Sequence, residues 1–404
     1  MNVLEKLYCR TYQLVFRLAL PALPYREPQL LGALRDLPLY LQKQGVSSVL
    51  LITDKPLRAL DMTRSLEQDL DMHGISCAVF DDVVPNPTVQ NVEDCRALYL
   101  SSGAQAMAAF GGGSVMDCAK AAGARVARPN KSVQQMGGLL KVLRKTPLLI
   151  AVPTTAGTGS ETTLAAVITD PVTHHKYPIN DFALIPELAV LDYHVTLGLP
   201  PMVTATTGMD ALTHAVEAYI GRSTTALTRA MAEEAVVLIA QYLRRAYENG
   251  SDAEARAKML RAAYCAGVAF TRSYVGYVHG VAHSLGGRYG IPHGLANAII
   301  LPYFLEAYGA SCQKPLAKLA RKAALAGSSD SDATAAQKFI TWVKSMNAAM
   351  QIPTSIPEIR VEDIPAMAAY AAKESNPLYP VPKLMNRREL EAMYIRLMPK
   401  EDIK

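Results

Sequence analysis

The sequence predicts an α/β N-terminal domain with a mostly parallel, doubly wound sheet. An all-α C-terminal domain follows, with a site in the interdomain cleft. Three observations carry this reading. Up to about residue 192, short β-rich runs alternate with helical stretches, the pattern of a parallel sheet covered by helices. Beyond Leu199-Pro200-Pro201 strand-like runs nearly vanish, and Ala-rich segments with helical periodicity take over. The chain has 404 residues, half of them hydrophobic and 19% charged, which is more than one ordinary domain and unlike a disordered chain. The domains are therefore 1–198, with 1–25 as an extra lead-in, and 199–404.

The elements follow in order. Leu14–Pro24 (LVFRLALPALP) is apolar, but Arg17 interrupts it and Pro21 and Pro24 break it. It is far shorter than the ~20 residues of a membrane span, and reads as an amphipathic lead-in that packs on the body or on a partner. Val46–Asp54 (VSSVLLITD) reads as a buried strand, Leu57–His73 as a helix and Ser76–Phe80 as a strand. Asn91–Ser101 is helical, Ala106–Phe110 is a short strand stopping at Gly111, and a small-residue helix runs from Ser114 to Val126. Pro147–Val152, Ala165–Asp170 and Leu188–Asp192 complete the strands. The helical half carries periodic segments at 203–220, 225–248, 252–270, 295–308, 315–325, 332–349, 362–373 and 387–397.

Charge and cysteine usage exclude several classes. The net charge is +5 with no basic block, so nothing points to nucleic acid. None of the six cysteines forms a CxxC, which predicts free thiols in a reducing, cytoplasmic setting. No integral membrane segment is expected.

Two glycine-rich segments sit at strand ends. Phe110-Gly111-Gly112-Gly113-Ser114 opens a helix, where close backbone approach, free N–H groups and the helix dipole suit a phosphate. Asp117 and Lys120 lie on the first turns of that helix. Pro153-Thr154-Thr155-Ala156-Gly157-Thr158-Gly159-Ser160-Glu161 offers hydroxyl and backbone donors to a pyrophosphate or ribose. It fits neither the P-loop nor the GxGxxG pattern, so the nucleotide is held in another way. Asp54 ends the first strand. A carboxylate there accepts from a ribose 2′-OH and repels a 2′-phosphate, favouring NAD over NADP; the competing role is a helix N-cap.

A metal constellation lies in the helical half. Asp210 and His214 are i and i+4 on one helix face, as are His279 and His283, and His293 follows on a Pro/Gly turn. A carboxylate with two or three imidazoles suits Fe²⁺, Zn²⁺ or a similar ion rather than Ca²⁺ or Mg²⁺. Spacing alone leaves open which of the later three histidines is not a ligand.

With these pieces in place the chain resembles the iron-containing (group III) alcohol dehydrogenase family. The shared segments are VPNPT (84–88), GGGSVMDCAK (111–120), PTTAGTGSE (153–161), VITD with a downstream Lys (167–176), TGMDALTHAVEAY (207–219), and VHGVAHSLGG with IPHG (278–294). The resemblance covers about residues 45–395. It implies that Asp210, His214, His279 and His293 hold a divalent metal, Fe²⁺ first and Zn²⁺ second. It leaves His283 beside substrate and nicotinamide, where we expect it to carry the proton. It also implies dinucleotide contacts from Asp54, Asn86, Gly112, Gly113, Ser114, Asp117, Thr154, Thr155, Thr158, Thr163 and Lys176, with Phe270 flanking the nicotinamide. The implied reaction is hydride transfer between NAD(H) and a small alcohol or aldehyde, in a homodimer or larger homo-oligomer.

The chain departs from the family at TRSYVGYV (271–278), where Arg272 and Tyr274 stand in place of a usual Asn and Gly. If these residues line the substrate pocket, Arg272 can pair with a substrate carboxylate, favouring a hydroxy acid or semialdehyde acid. Three other functions compete: a glycerol-type polyol dehydrogenase, a dehydroquinate-synthase-like cyclase, and a non-catalytic scaffold. The long PTTAGTGSE and TGMDALTHA segments argue against the cyclase, and the intact ligand set argues against a scaffold.

Overall fold

The computed structural model of the chain describes residues 1–170 and 176–402. The chain divides into two compact units, Pro24–Gly198 and Met1–Leu23 together with Leu199–Lys404.

Described by itself, the Pro24–Gly198 unit is built on β1 (Gln29–Leu31), β2 (Ser48–Ile52), β3 (Ser76–Phe80), β4 (Ala106–Gly111), β5 (Gly138–Leu139), β6 (Leu148–Pro153), β7 (Ala165–Thr169), β8 (Lys176–Asn180) and β9 (Leu188–Val190). Six of them form one sheet in the order β1-β9-β6-β4-β2-β3, every pair parallel. Successive residues of a strand face opposite sides. Leu50 and Ile52 accordingly join one buried apolar cluster while Val49 and Leu51 join another. A sheet buried on both faces is what the doubly wound class requires.

The strand at 165–170 is present as β7, but it is not part of this sheet. It pairs antiparallel with β8 in a separate three-stranded sheet, β5-β8-β7. Its burial alternates along the strand, whereas β4 is buried at all six positions. That alternation suits a strand covered on one face only. The helix expected over Leu57–His73 is two pieces, Lys55–Ala59 and Arg64–Met72. Between them Asp61 takes a positive φ of 56°, which interrupts the helical turn.

The other unit is helical. Pro201–Ile220 runs through its centre and is buried at every position from Gly208 to Ile220. It packs against the Ala226–Glu248, Ala253–Ser273 and His293–Tyr308 helices. The Tyr277–Tyr289 helix was not visible as a periodic segment. Eight of its first nine residues are buried, so it has no polar face to reveal a period.

The first 23 residues group with this helical unit rather than with the α/β unit. The Val3–Ala19 helix begins with a capping box at Asn2 and Glu5. The Arg10 guanidinium donates to the carbonyls of Val381 (2.8 Å) and Pro382 (3.0 Å). Gln13 Nε2 donates to Pro377 O (3.2 Å) and Tyr379 O (2.8 Å). These contacts tie the lead-in to the C-terminal segment.

Candidate metal centre and dinucleotide loops

The Pro201–Ile220 helix carries Asp210 and His214 one turn apart, both buried. His279 enters from the 277–289 helix and His293 from the first position of the 293–308 helix. One candidate ligand atom from each of the four lies within 4.8 Å of the others. The approach depends on Gly294. A Cβ there would stand 2.6 Å from Thr206 O and 3.4 Å from Asp210 Cβ, so only glycine lets the two helices close at this point.

The donor set fits a cation. Asn297 Nδ2 donates to Asp210 Oδ1 at 2.7 Å and lies 3.2 Å from His279 Nε2 and 3.1 Å from His293 Nε2. Three of the four prospective ligand atoms are thus gathered around one positively polarised N–H group. His279 is oriented from behind, since its Nδ1 donates to Glu217 Oε2 at 2.6 Å. That fixes the tautomer and leaves Nε2 as the lone-pair atom, as metal-binding histidines require. Burial, followed by the neighbouring His214, His293 and His283, pushes His279 well below its ordinary pKa and keeps it neutral. Carboxylate and imidazole donors of this kind fit a divalent transition metal.

Glu217 organises this arrangement. Besides His279 it accepts the backbone N–H groups of Gly276 (2.8 Å) and Val278 (2.9 Å) at the start of the 277–289 helix. A Cβ at residue 276 would fall 2.5 Å from Glu217 Oε1, so glycine is needed for this contact too. Burial pushes the Glu217 carboxyl up to about 7, against the pull of those backbone donors.

His283 lies beside the cluster. Its ring stacks on His293 with centroids 5.2 Å apart, and its Nδ1 donates to Glu374 Oε1 at 2.6 Å. The same oxygen accepts Tyr379 OH at 2.6 Å. Burial works to raise Glu374, but the charge and hydrogen bond of His283, with the Tyr379 bond, hold it below the ordinary carboxylate range. Phe270 stacks on His214, with centroids 4.1 Å apart and planes 13° apart. Arg272 is half-buried near the end of the 253–273 helix. Tyr274 caps that helix with a φ of 63°, and its ring meets Phe16 edge-on at 4.9 Å.

In the α/β unit, β2, β4 and β6 run parallel as neighbours, so their carboxyl ends share one sheet edge. Asp54, Gly112–Ser114 and Thr154–Thr158 follow those ends, the usual place for a ligand in an open α/β sheet. The two glycine-rich segments abut. Thr154 N–H donates to Gly111 O at 3.1 Å. Cβ atoms added at Gly112 and Gly113 would lie 3.4 Å from Thr155 Oγ1 and 2.9 Å from Thr158 Cγ2. Asn86 N–H donates to Ser114 Oγ at 3.3 Å, with Asn86 at a positive φ of 56°.

Several polar side chains in this region are bonded inside the protein. Asp54 Oδ1 accepts Leu57 N–H at 2.9 Å and caps the 55–59 helix. Asp117 accepts Ser160 Oγ–H and Val167 N–H, both at 3.0 Å. Thr163 Oγ1 is one of five oxygens around the buried Lys120 Nζ, at 2.8 Å. The others are Ser160 O (2.6 Å), Ser160 Oγ (2.9 Å), Thr163 O (3.0 Å) and Ala165 O (3.0 Å). Burial lowers Lys120 to about 8, which leaves it an ammonium at neutral pH. The side chain of Lys176 lies outside the described residues.

Three residues of the centre escaped the sequence reading. Glu217 and Asn297 were within reach of helical spacing, at i+3 from His214 and i+4 from His293. Glu374 is 91 residues from His283 and carries no local signal.

Known proteins are similar to this chain in sequence and fold. Residues 29–193 match the family model described as iron-containing alcohol dehydrogenase, and residues 204–398 match the C-terminal model of the same family. The 1,3-propanediol dehydrogenase of Klebsiella pneumoniae is 36% identical over 360 residues, covering 87% of this chain and 92% of that protein. A crystal structure of a 1,3-propanediol oxidoreductase superposes with a TM-score of 0.89 at 34% identity, covering 93% of this chain and 99% of that one. A sulfoacetaldehyde reductase from Bifidobacterium kashiwanohense, solved in complex with NAD⁺, superposes with a TM-score of 0.82 at 26% identity, covering 93% and 98%. The chain belongs to the iron-containing alcohol dehydrogenase family and is an alcohol dehydrogenase. Among the described residues, no helix is long and apolar enough to cross a membrane.

Proposed function

We propose that the protein interconverts a small alcohol and its aldehyde with NAD(H), using a divalent metal held by Asp210, His214, His279 and His293, Fe²⁺ before Zn²⁺. The observation that carries this reading is the convergence of those four donors within 4.8 Å, with Glu217 fixing His279 from behind. When bound, the metal supplies a Lewis acid for the substrate oxygen and the nicotinamide supplies or accepts the hydride. The chain's own residues do the positioning. Glu217 orients His279, and Phe270 fixes the plane of His214. Glu374 holds His283 by Nδ1, leaving Nε2 to hand a proton to or from the substrate oxygen.

In the α/β unit we assign the dinucleotide to the carboxyl edge of the sheet. Gly112, Gly113 and Ser114 offer close backbone approach, and Thr154, Thr155 and Thr158 offer donors beside them. Asn86 and Lys176 belong to the same proposed set. Asp117 and Thr163 support it from below, through Ser160 and Lys120. Asp54 favours NAD over NADP. The NAD⁺ complex of the sulfoacetaldehyde reductase supports this choice.

Arg272 supports a narrower substrate class, an aldehyde carrying an anionic group. The name of that same relative denotes such an aldehyde. The protein is proposed to act as a cytoplasmic homo-oligomer. The test is reduced-nicotinamide absorbance with a panel of aldehydes and their ω-carboxylated analogues, with and without added Fe²⁺ or Zn²⁺. Metal-dependent turnover of the panel is expected. Arg272→Ala is expected to depress kcat/KM for the acids selectively, and an equal effect on both series removes the carboxylate reading.

A further inference from the structure

The Val3–Ala19 helix is turned with its apolar face to solvent. Its docked face is Cys9, Gln13 and Phe16, anchored by the Arg10 and Gln13 hydrogen bonds. The opposite face exposes Val3 (81%), Leu4 (76%), Leu7 (60%), Tyr8 (62%), Leu14 (54%), Val15 (61%) and Leu18 (72%). An ordinary amphipathic helix buries such a stripe. The helix also lies outside the segments that match the family models.

We propose that this face binds the same face of a second copy of the chain, so that two N-terminal helices pair across a twofold axis. Three features select that occupant. Leu4, Leu7, Thr11, Leu14 and Leu18 are spaced 3-4-3-4, the seam of paired helices, with Tyr8 and Val15 on its flank. At roughly 60–120 Å² of apolar surface per side chain, these seven residues supply about 400–800 Å², approaching the ~800 Å² per partner of a standard interface. Charge disfavours a lipid surface. Arg10 is committed to two backbone carbonyls, which leaves Lys6 and Arg17 against Glu5, and both lie to one side of the stripe. Thr11 would place a hydroxyl in hydrocarbon, whereas in a helix pair it meets its counterpart and fixes register. The assignment names a surface for the homo-oligomer proposed above and does not depend on the catalytic reading.

The test uses the full chain, its Leu7→Glu/Leu14→Glu variant and a Thr11→Cys variant, with circular dichroism and turnover confirming that each is folded. Residue 11 is the middle of the helix, so it faces its counterpart in parallel or antiparallel pairing alike. In sedimentation velocity the double glutamate variant is expected to have half the wild-type mass, its association weakened about a hundredfold by charge in an apolar seam. Thr11→Cys is expected to give a disulfide-linked dimer under mild oxidation, and the parent chain none, since its cysteines are buried or partly buried. A wild-type oligomer unchanged by the glutamates overturns this interface and leaves the homo-oligomer standing. A monomeric wild type overturns both. Glutamate-sensitive co-sedimentation with phosphatidylcholine–phosphatidylglycerol vesicles, at unchanged protein mass, overturns the second copy in favour of lipid.

Discussion

The histidine cluster and the dinucleotide loops both carry dense polar motifs, yet their side chains are employed differently. At the cluster, Asp210, His279 and His293 turn lone pairs toward the Asn297 amide, and Glu217 steers His279 from behind. At the loops, Asp54, Asp117 and Thr163 spend oxygens on backbone and on Lys120, while Thr155 and Thr158 lie against Gly112 and Gly113, where we propose the dinucleotide approaches. On the proposed reading, a shared motif therefore mixes residues that meet a ligand with residues that hold the loop in shape. Substitutions separate the two kinds.

The largest effect is expected at the cluster. Asp210→Ala or His279→Ala should lower metal content and kcat/KM together, the latter by about a thousandfold or more. Elemental analysis beside the nicotinamide assay reads both. One step back, Glu217→Gln should weaken metal affinity about 10–100-fold while the four ligands stay in place, as read by competition with a chelator.

The loop side should respond first in stability. Lys120→Met strands five oxygens, three of them backbone carbonyls, and is expected to cost roughly 3 kcal/mol in denaturant unfolding. A pH signature accompanies it. Burial puts Lys120 at about 8 in the folded chain against an ordinary 10.5, so between those values the unfolded chain binds more protons. Lys120 therefore contributes a rise in stability from about pH 8 to 10.5, and the methionine variant should lack that rise. If the two chains keep the same pH slope, the ammonium is not where the structure puts it.

Asp54 gives the smallest effect. Asp54→Asn keeps a capping side chain and should leave the melting temperature unchanged while eroding the preference for NADH over NADPH. Asp54→Ala should in addition cost about 1 kcal/mol of stability. A preference unmoved by either variant assigns Asp54 to capping alone.

The fold was legible wherever one physical signal dominated. Short apolar runs marked β2, β3, β4 and β6, and the 226–248 and 332–349 helices lie within a residue of their periodic segments. The short strands β5 and β1 are largely exposed and carry no apolar run of the kind that marked the equally short, buried β9, and the 277–289 helix is too buried to show a period. Of the four clustered donors, Asp210 and His214 stood out by i, i+4 spacing, whereas spacing left His279, His283 and His293 unsorted and only the family resemblance set His283 apart. Glu374 was not legible, because only the tertiary fold brings it to His283. The apolar run Leu14–Pro24 was visible, but hydropathy cannot say that the Val3–Ala19 helix would dock by its Arg10 and Gln13 side.

Asp210, His214, His279 and His293 are proposed to hold the metal on which turnover depends. Metal content and aldehyde reduction should be measured on the same purified sample before chelation, after it, and after Fe²⁺ or Zn²⁺ is restored. About one ion per chain is expected, with turnover lost with the ion and regained with it, and neither ion nor turnover in His279→Ala. Full turnover in a metal-free sample would remove the metal from the reaction.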